Sequence, residues 1–461
     1  DIVAESQRET HAVTVANASI FTEGDWITLH RVDSSSQAVA EAVAPYPVDP
    51  LWVNLINDGV LVDEINQIDS IAGNVITFKA PIHSDVSSTG NWSVVLYDAL
   101  EEVGVEDIAF TGNWISNFVH HASFYDDGGW SILEMNSAVN SWIRNCRFTD
   151  CNRAGNVKLS GAVTVSDIIL DGNKGHSAIS LNLSTHCLVA MVDDSAGHHH
   201  ACGVVGRCSG NVFWKSEHRN DTCYESHASQ PRCTLFDNTT GGFLYSHMGG
   251  AVGSLPNHLN HLILWNYNNT AEMGNSQKPA VYQFFRDNTD TLYQKFIMPY
   301  VIGFHGNEQV FDETMLEVLE SNGAAVEPAS LYEAQYKLRM GKPFTQLFYD
   351  EWAISYGLTS SNDDHTDDPD NDFRDNLAEF AVGGIPTLGS NSAQELPNAQ
   401  MIDDGGFAGL EYIYARRRNA DRLGLSYNVE FTDDLLTNTW SSVTVSETGS
   451  ASIGDDFNAV T

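Results

Sequence analysis

Histidine, arginine, lysine and tyrosine residues recur just before successive apolar runs between residues 120 and 258. More than half of the 17 histidines lie there, although acidic residues outnumber Lys and Arg by 61 to 23 in the chain. Such groups exchange protons and bind carboxylate or sulfate. If the segments align in the fold, they predict a groove for an anionic oligosaccharide. The segments contain His120, His121, Tyr125, Asp126, Asp127, Arg153, Lys174, His176, His198, His199, His200, His218, Tyr224, Glu225, His227, Arg232, His247 and His258.

Two cleavage reactions fit such a groove. β-Elimination on a uronate needs a base for the C5 proton and groups that neutralise the adjacent carboxylate, so that the enolate-like transition state is stabilised. Hydrolysis needs two carboxylates across the scissile bond. Acidic residues are plentiful and basic ones are scarce, so the basic cluster carries more weight and favours a lyase. Lys158, His176, His198 to His200, Tyr224, His227 and Arg232 could serve elimination, whereas Asp126, Asp127, Glu134 and Glu225 could serve hydrolysis.

The run His198-His199-His200 resembles a metal cluster. Adjacent residues on a strand point to opposite faces, so we do not expect the three side chains to share one ion. A third reading of the groove is a β-solenoid carbohydrate-binding protein that performs no chemistry.

An acidic segment near residue 370 has the spacing of a calcium loop. Oxygen ligands stand at its positions 1, 3 and 5, a backbone carbonyl at 7, an amide at 9 and a carboxylate at 12. Phe373 occupies position 6, where glycine normally makes the turn. We expect a structural Ca²⁺ in an EF-hand-like unit at the junction between domains. The predicted ligands are Asp368, Asp370, Asp372, Arg374, Asn376 and Glu379.

The elements that must position the groove are short β-branched runs followed by polar corners. From about residue 104 to 270 they recur every 20 to 26 residues or so, in two series of constant order and without helical periodicity. This pattern predicts an all-β fold, a right-handed parallel β-helix over residues 104–312. Aligning Trp142 with Ile168 places Glu134 over Ser160 and Asn182 on one outward face.

Three further segments flank the predicted solenoid. Residues 1–103 are predicted to form a β-rich N-terminal cap over the first coil. Residues 313–380 are predicted to be a helical segment that carries the calcium loop, with a capping box at Ser330 and a second helix near 344–356. Residues 381–461 are predicted to form a small β module, because runs at 410–414 and 425–431 alternate at period two.

Composition limits the partners. A formal charge of −38 argues against nucleic acid and anionic membranes, and no apolar run is long enough for a membrane span. The chain begins at Asp1 without a charged-then-apolar leader, which we interpret as a mature product. We expect a monomer. The seven cysteines are predicted to be mainly buried thiols, with Cys223 and Cys233 as the first pair to test for a disulfide.

Several motifs resemble a known group of enzymes. Glu225-Ser-His-Ala-Ser-Gln-Pro-Arg232, Gly249-Gly-Ala, Leu255-Pro-Asn-His258 and Leu264-Trp-Asn266 resemble right-handed β-helix enzymes of marine and gut bacteria that digest algal polysaccharides. Ulvan lyases and endo-fucanases are the two activities that this resemblance implies, over roughly residues 10 to 340. It places the region of His227 and Arg232 in the site. The C-terminal region is similar to accessory tails of secreted planctomycete and verrucomicrobial enzymes, which implies export.

The sequence therefore favours a secreted endo-acting lyase that cleaves an acidic, sulfated, ulvan-like polysaccharide. An endo-fucanase-type hydrolase is the alternative. His227 or a neighbouring His or Tyr is the expected base, with Arg232 and Lys158 neutralising the uronate. The predicted catalytic residues are His227, Tyr224, Arg232, Lys158 and His176, and the predicted substrate-binding residues are Glu134, Arg153, Asn182, His198, His200, His247 and His258.

Overall fold

The chain divides into two compact units, Asp1–Tyr332 and Glu333–Thr461. The computed structural model describes residues 1–114, 117–286, 294–389, 398–403, 408–418, 420, 423–432, 440–442, 447, 449–452 and 457–460.

A five-stranded antiparallel sheet dominates the first hundred residues. Its side-chain alternation buries Ile27 and Leu29 completely on the inner face. Two helices, Ser36–Val43 and Val53–Asp58, follow the second strand, and the Ser35 hydroxyl caps the first of them. In spatial order the strands are Ala12–Thr14, Val75–Phe78, Val60–Ala72, Trp26–Asp33 and Trp92–Leu96.

This sheet lies along the flank of the solenoid. The Thr185 hydroxyl accepts the backbone N–H of Ile65 at 2.9 Å. Arg207 binds a carboxylate of the strand Val60–Ala72 at 2.5 Å, and Arg232 donates to a carbonyl of that strand at 2.7 Å. These three partners stand in successive coils. One long strand of the N-terminal sheet therefore crosses several coils, and the predicted covering of the first coil stays a prediction.

The solenoid contains two main parallel sheets, which confirms the predicted parallel β-helix. One sheet has five strands, in the order Cys223–Ser226, His200–Val205, Ser177–Asn182, Arg153–Lys158 and Ser131–Asn136. The other has fourteen short strands: Gly104–Glu106, Ala109–Thr111, Trp142–Thr149, Thr164–Asp171, Leu188–Asp194, Asn211–Trp214, Glu217–His218, Thr234–Asp237, Thr240–Gly241, Leu262–Trp265, Asn268–Asn269, Tyr300–Ile302, His305–Gly306 and Val318–Glu320.

Smaller elements complete the first unit. Ala138–Val139 pairs with Leu100–Glu101, and Val281–Tyr282 pairs with Val310–Phe311, both in parallel. A short helix, Phe124–Gly128, precedes the first strand of the five-stranded sheet. Two 3₁₀ turns span Val252–Ser254 and Glu313–Met315.

A ladder of left-handed residues bends the fourteen-stranded sheet at the same place in every coil. Each of these residues has a positive φ. It lies within or directly after a strand of the sheet, at the same place along the strands of neighbouring coils. Asn, Asp and Gly adopt this conformation most readily. We call it the bend ladder; its members are Asp107, Asn145, Asp167, Met191, Lys215, Asn238, Asn266, Gly303 and Ser321.

The solenoid core is a stack of equivalent apolar positions. Val157, Leu181 and Val204 succeed one another in register and are completely buried. Phe213 and Phe236 stack with ring centroids 4.7 Å apart. Because each coil buries its apolar side chains against the next, stability is shared between neighbouring coils.

The helix Leu331–Met340 begins at the last two residues of the first unit, and the second unit continues with the helices Gln346–Ser355 and Asn376–Val382. A four-stranded sheet follows in the order Asn398–Asp403, Ala408–Arg417, Phe457–Val460 and Ser450–Ser452. Glu430–Phe431 pairs with Ser441–Ser442. The first two helices match the predicted ones, whereas only the end of the run 425–431 is a strand.

Two predicted boundaries differ from the structure. The strand Val318–Glu320 extends the solenoid past residue 312, and the first compact unit ends at Tyr332. The register also differs, because Ile168 pairs with Cys146 where the alignment placed Trp142. The left-handed residues Asn145 and Asp167 interrupt the alternation of inward and outward side chains within these strands, so a period-two pattern does not fix the register.

Candidate functional site

A groove with a volume of about 310 Å³ runs along the outer face of the five-stranded sheet. A larger concavity of about 500 Å³ lies in the N-terminal sheet, but Glu23 is the one ionisable residue in its lining. The groove is therefore the better candidate site. Its lining contains Ser131, Ile132, Leu133, Glu134, Arg153, Gly155, Asn156, His176, Ser177, Ser180, Asn182, His200, Val205, Glu225 and His227.

Strand register explains which side chains face the groove. Glu134 pairs with Asn156, which pairs with Ser180, and the line continues through Gly203 to Glu225. The predicted stacking of Glu134 over Ser160 and Asn182 is corrected by this register. Six of the predicted site residues line the groove together, namely Glu134, Arg153, His176, Asn182, His200 and His227.

Glu225 and His227 stand side by side at one end of the line. The His227 Nε2 atom lies 3.9 Å from the Glu225 Oε1 atom. Burial raises the pKa of Glu225 to about 8, because little solvent reaches its carboxylate and Arg153 offsets this only in part. Partial burial lowers the pKa of His227, and Arg153 and His121 act in the same direction. The imidazole is therefore neutral at neutral pH and can accept a proton.

Gly249 makes room for this pair. A methyl group at its Cα would lie 2.0 Å from His227 Cδ2 and 2.6 Å from Glu225 Oε1. The loop that contains Gly249 thus packs directly on the two side chains. Sequence reasoning quoted this glycine only as part of a motif and missed its steric role.

Arg153 supplies the positive charge of the groove. It is exposed at the start of the strand Arg153–Lys158 and, among the described residues, makes no ion pair. Its charge acts on Glu225, His176 and His227. An unpaired guanidinium beside an outward polar line can bind a carboxylate in a bidentate manner.

His176 is held by its own hydrogen bonds. Its Nδ1 lies 2.8 Å from the carbonyl oxygen of Asp127, which can only accept, so Nδ1 carries the proton. Asn152 is completely buried, and its Oδ1 accepts the backbone N–H of His176 at 2.9 Å. The same Asn152 donates to Tyr125 and Asp126 carbonyls at 2.9 Å. Sequence reasoning missed Asn152, which ties the short helix to the groove.

Tyr224 and Arg232 do not reach the groove. Tyr224 is buried among core aromatic rings, 4.4 Å from the Phe236 ring, and burial raises its pKa well above the ordinary value. Arg232 is buried against the N-terminal sheet, where it binds backbone carbonyls of Leu61 and Gln230. Both predicted positions are corrected, because an apolar environment or a structural partner holds each side chain inside.

Three of the predicted histidines are also buried away from the groove lining. Burial alone would lower the pKa of His198, but the Asp194 carboxylate at 2.8 Å outweighs it and raises the pKa to about 10. Burial lowers the pKa of His258 to about 3, and this ring binds the Thr234 hydroxyl at 3.0 Å. His247 binds the His199 carbonyl at 2.5 Å.

Lys158 is half-buried and pairs in register with Asn182 and Asn136. It stands outside the groove lining, two residues beyond Asn156 on the same strand. Its register partner Asn182 lines the groove, so Lys158 stands next to the lining.

The carboxylates predicted for hydrolysis are separated. Glu134 stands four strands from Glu225, which corresponds to ~19 Å at the usual strand spacing. Asp126 is buried and accepts hydrogen bonds from Val119 N–H and the Ser123 hydroxyl. Asp127 pairs with His121 at 2.8 Å. Glu134 and Glu225 are thus too far apart to act across one glycosidic bond.

Exposed aromatic rings border the groove at the short helix. Phe124 and Tyr125 are 78% and 66% exposed, and their centroids lie 5.4 Å apart. Trp130 is 48% exposed, and its carbonyl accepts the Asn152 N–H at 3.2 Å. Exposed aromatic faces of this kind can stack on a sugar ring.

The predicted calcium loop brings its acidic side chains together. Oxygens of Asp368, Asp370 and Asp372 lie within 4.8 Å of one another. Glu379 is buried, and Glu379 Oε2 and Asp370 Oδ2 have no hydrogen-bond partner among the described residues. Burial and then the neighbouring carboxylates raise the pKa of Glu379 to about 7. Phe373 has a φ of 75°, the left-handed conformation that glycine normally supplies at this position.

The other two predicted ligands behave differently. Asn376 is completely buried, and its Nδ2 donates to carbonyls of Asn362 and Asp364, while its Oδ1 has no described partner. The Arg374 N–H donates to Asp372 Oδ1 at 2.9 Å. These bonds fold the loop, and the residues present fit an oxygen-liganded cation.

All seven cysteines are free thiols, and six of them are buried. The proposed Cys223–Cys233 disulfide is not formed. Cys223 points into the core, where burial raises its pKa to about 12.

Residues 197–347 match one family model, described as a domain of unknown function (DUF4955). This match includes Glu225, His227 and Gly249. No curated protein matches the chain.

Solved structures of phage tailspikes are similar to the chain at low identity. The tailspike gp49 of Pseudomonas phage LKA1 is 7% identical, with 67% of this chain and 40% of that chain covered and a TM-score of 0.32. The tailspike gp61 of Pseudomonas phage phi297 is 11% identical, with 70% of this chain and 49% of that chain covered and a TM-score of 0.37. The gp54 tailspike of Acinetobacter baumannii bacteriophage AP22, solved in complex with capsular saccharide, is 10% identical, with 69% of this chain and 65% of that chain covered and a TM-score of 0.24. The chain thus spans 40–65% of the length of these proteins.

No helix among the described residues has the length and apolarity needed to cross a bilayer.

Proposed function

We propose that the protein is a secreted polysaccharide lyase that cleaves an acidic polysaccharide by β-elimination at a uronate. The observation that carries this proposal is the convergence of Arg153, His176 and His227 in one groove. The chain has only 23 Lys and Arg against 61 acidic residues, so a groove whose guanidinium makes no ion pair among the described residues is a specific feature. It suits an anionic ligand.

In the proposed reaction, His227 removes the C5 proton of the uronate. The C5–H electron pair forms the C4–C5 double bond, and the C4–O4 bond breaks. Arg153 binds the uronate carboxylate and stabilises the enolate-like charge. The departing oxygen takes a proton from the solvent or from His176. The Nδ1 proton of His176 is bound to the Asp127 carbonyl oxygen, so His176 can donate only from Nε2, after that nitrogen has been protonated. Arg153 thus takes the role that the sequence assigned to Arg232 and Lys158.

The exposed aromatic border supports a carbohydrate ligand in particular. Tyr125 and Trp130 offer large apolar faces next to the cationic part of the groove. Sugars present apolar C–H faces together with polar edges, so aromatic platforms combined with Asn156 and Asn182 suit them.

The experiment mixes the full chain with ulvan and follows the ultraviolet absorbance of the unsaturated uronate product. We expect absorbance to rise, and His227→Ala and Arg153→Gln to lower the rate by about 100-fold or more. His305→Ala, in the fourteen-stranded sheet, is the matched control and should act like the wild type. A second uronate polymer without sulfate shows whether sulfation is required.

Two outcomes would contradict the lyase. New reducing ends without absorbance would indicate a hydrolase. Binding without any cleavage would indicate a carbohydrate-binding protein. In the second case His227→Ala should weaken binding, whereas in a lyase it should leave substrate affinity largely intact.

We also propose that the loop around Asp370 binds a structural Ca²⁺. The buried, unpartnered oxygens of Glu379 and Asp370 support it, because such groups are costly to bury without a partner. A chelator should lower the thermal midpoint of the wild type, and Ca²⁺ should restore it. Asp370→Asn should abolish this response, while Asp364→Asn should keep it. A midpoint that does not change with chelator would refute the site.

A further inference from the structure

Six histidine side chains gather beside the groove. Their rings come from four different segments of the solenoid, and the closest pairs have centroids 3.8–4.6 Å apart. We call this set the histidine cluster. Its members are His120, His121, His176, His199, His200 and His247.

Three members of the histidine cluster point ligand atoms at one another. Ring nitrogens of His120, His199 and His200 all lie within 4.8 Å of one another. The Nε2 atoms of His120 and His199 are buried and have no hydrogen-bond partner among the described residues. Buried polar atoms usually have a partner, so these two nitrogens require an explanation.

The surrounding carbonyls fix the orientation of the rings. His200 Nδ1 lies 2.6 Å from the His247 carbonyl oxygen, and since an oxygen of this kind only accepts, Nδ1 carries the proton. This leaves a lone pair on His200 Nε2. His176 is oriented in the same way by the Asp127 carbonyl. A backbone carbonyl that accepts from the non-ligating nitrogen is the usual outer shell of a metal-binding histidine.

We propose that His120, His199 and His200 bind a divalent first-row transition metal ion, with Zn²⁺ the best match. Imidazole nitrogens suit Zn²⁺, Cu²⁺, Ni²⁺ and Co²⁺ better than Ca²⁺ or Mg²⁺. Three protein ligands leave a position open, as in catalytic zinc sites. Zinc–nitrogen bonds of about 2.0–2.1 Å require the three nitrogens to approach to roughly 3.4 Å of one another, which is a small closure of side chains.

The sequence argument against a shared ion applied to the wrong three residues. His198 turns inward to Asp194, and the third ligand, His120, comes from the segment before the short helix. His199 and His200 can converge because the strand begins only at His200, so strict alternation does not apply between them. His200 also lines the groove, so the open position of the ion would lie next to bound ligand.

The test uses the full chain without an affinity tag, stripped with chelator and then supplied with excess Ca²⁺ to saturate the acidic loop. Co²⁺ is the probe, because visible absorbance reports its coordination by imidazole. We expect one Co²⁺ per chain, displaced by one equivalent of Zn²⁺. X-ray absorption of the Zn²⁺ form should show three nitrogen ligands from histidine.

Variants assign the site. His199→Ala and His120→Gln should each weaken Co²⁺ binding by at least about 10- to 100-fold, while His305→Ala should bind as the wild type does. Circular dichroism shows whether each variant is folded. If His199→Ala does not fold, His120→Gln provides the test of the site. Equal binding by wild type and both variants, or no binding by a folded wild type, would overturn the proposal. Metal affinity is read without substrate, so failure of the lyase proposal leaves this result intact.

Discussion

At the scale of single residues, the groove depends on a few cations in an acidic chain. Arg153, His176, His200 and His227 were predicted from sequence because basic groups are scarce here, so their clustering was informative. Arg153 and His200 stand at equivalent positions of their coils, whereas His176 and His227 come from other positions of the stacked coils.

Other residue assignments could not come from sequence. The strand Cys223–Ser226 is buried at all four positions, so alternation does not show that Glu225 borders the groove while Tyr224 enters the core. The role of Gly249 depends on how a loop packs on His227, which no local pattern encodes.

Replacement of Gly249 by Ala is expected to disturb catalysis more than folding. The new methyl group would lie 2.0 Å from His227 and displace its ring. We expect kcat/KM to fall by about 100-fold, since small misplacements of a catalytic group have effects of this size. Product absorbance measures the rate, and Gly449→Ala, which meets no atom within 4 Å, is the control. Unchanged kcat/KM would show that His227 does not act in the reaction.

The pH profile should report the state of His227. Burial, Arg153 and His121 lower its pKa, and Glu225 Oε1 stands 3.9 Å from its ring. A base is inactive when protonated, so activity should be lost as pH falls through that lowered pKa. We therefore expect the acid limb of kcat/KM to have its midpoint below the ordinary histidine value of about 6.5. A midpoint above that value would contradict the assignment, and Arg153→Gln should move it upward.

At the scale of elements, sequence periodicity revealed the solenoid but not its register. The left-handed residues that bend each strand interrupt its alternation, so the predicted alignment set the half-buried Trp142 beside the buried Ile168, whose partner in the structure is Cys146. The helices Leu331–Met340 and Gln346–Ser355 were predicted because capping and glycine signals mark their ends. The flank position of the N-terminal sheet arises from long-range contacts that leave no local trace.

The bend ladder offers a test of local strain. Ser321 has a φ of 54° and an exposed side chain. Non-glycine residues are strained in this region, and asparagine tolerates it best. Ser321→Asn should therefore raise the free energy of unfolding by about 0.5–1 kcal/mol, measured by denaturant titration. Ser321→Ala keeps the strain and should give no gain; an equal gain for both would show that the bend is not the cause.

At the scale of the whole molecule, the protein has a charge of −38, and the acidic polysaccharide of the proposed function carries the same sign. Two effects of salt then oppose each other. Screening weakens the long-range repulsion, and it also weakens the attraction of Arg153 for a uronate carboxylate.

We expect KM to pass through a minimum as salt increases. Repulsion acts over long distances, so raising the ionic strength from roughly 0.01 M to 0.15 M should lower KM. Further salt should raise it, because the contact with Arg153 is then screened. Initial rates across a salt series measure both limbs. In Arg153→Gln the rising limb should be shallower, and a KM that rises from the lowest salt onward would contradict this account.

The bend ladder also shows which coils of the solenoid contain extra residues. From Asp167 to Asn238 its members recur every 23 or 24 residues, whereas the stretches that end at Asn145, Asn266 and Gly303 are longer. The extra residues of the first two stretches include His120, the short helix that follows it and the loop with Gly249. The bend ladder therefore keeps its place in every coil, although the coils differ in length. A change of length in these two stretches should therefore alter the groove side while the paired strands keep their bend and register.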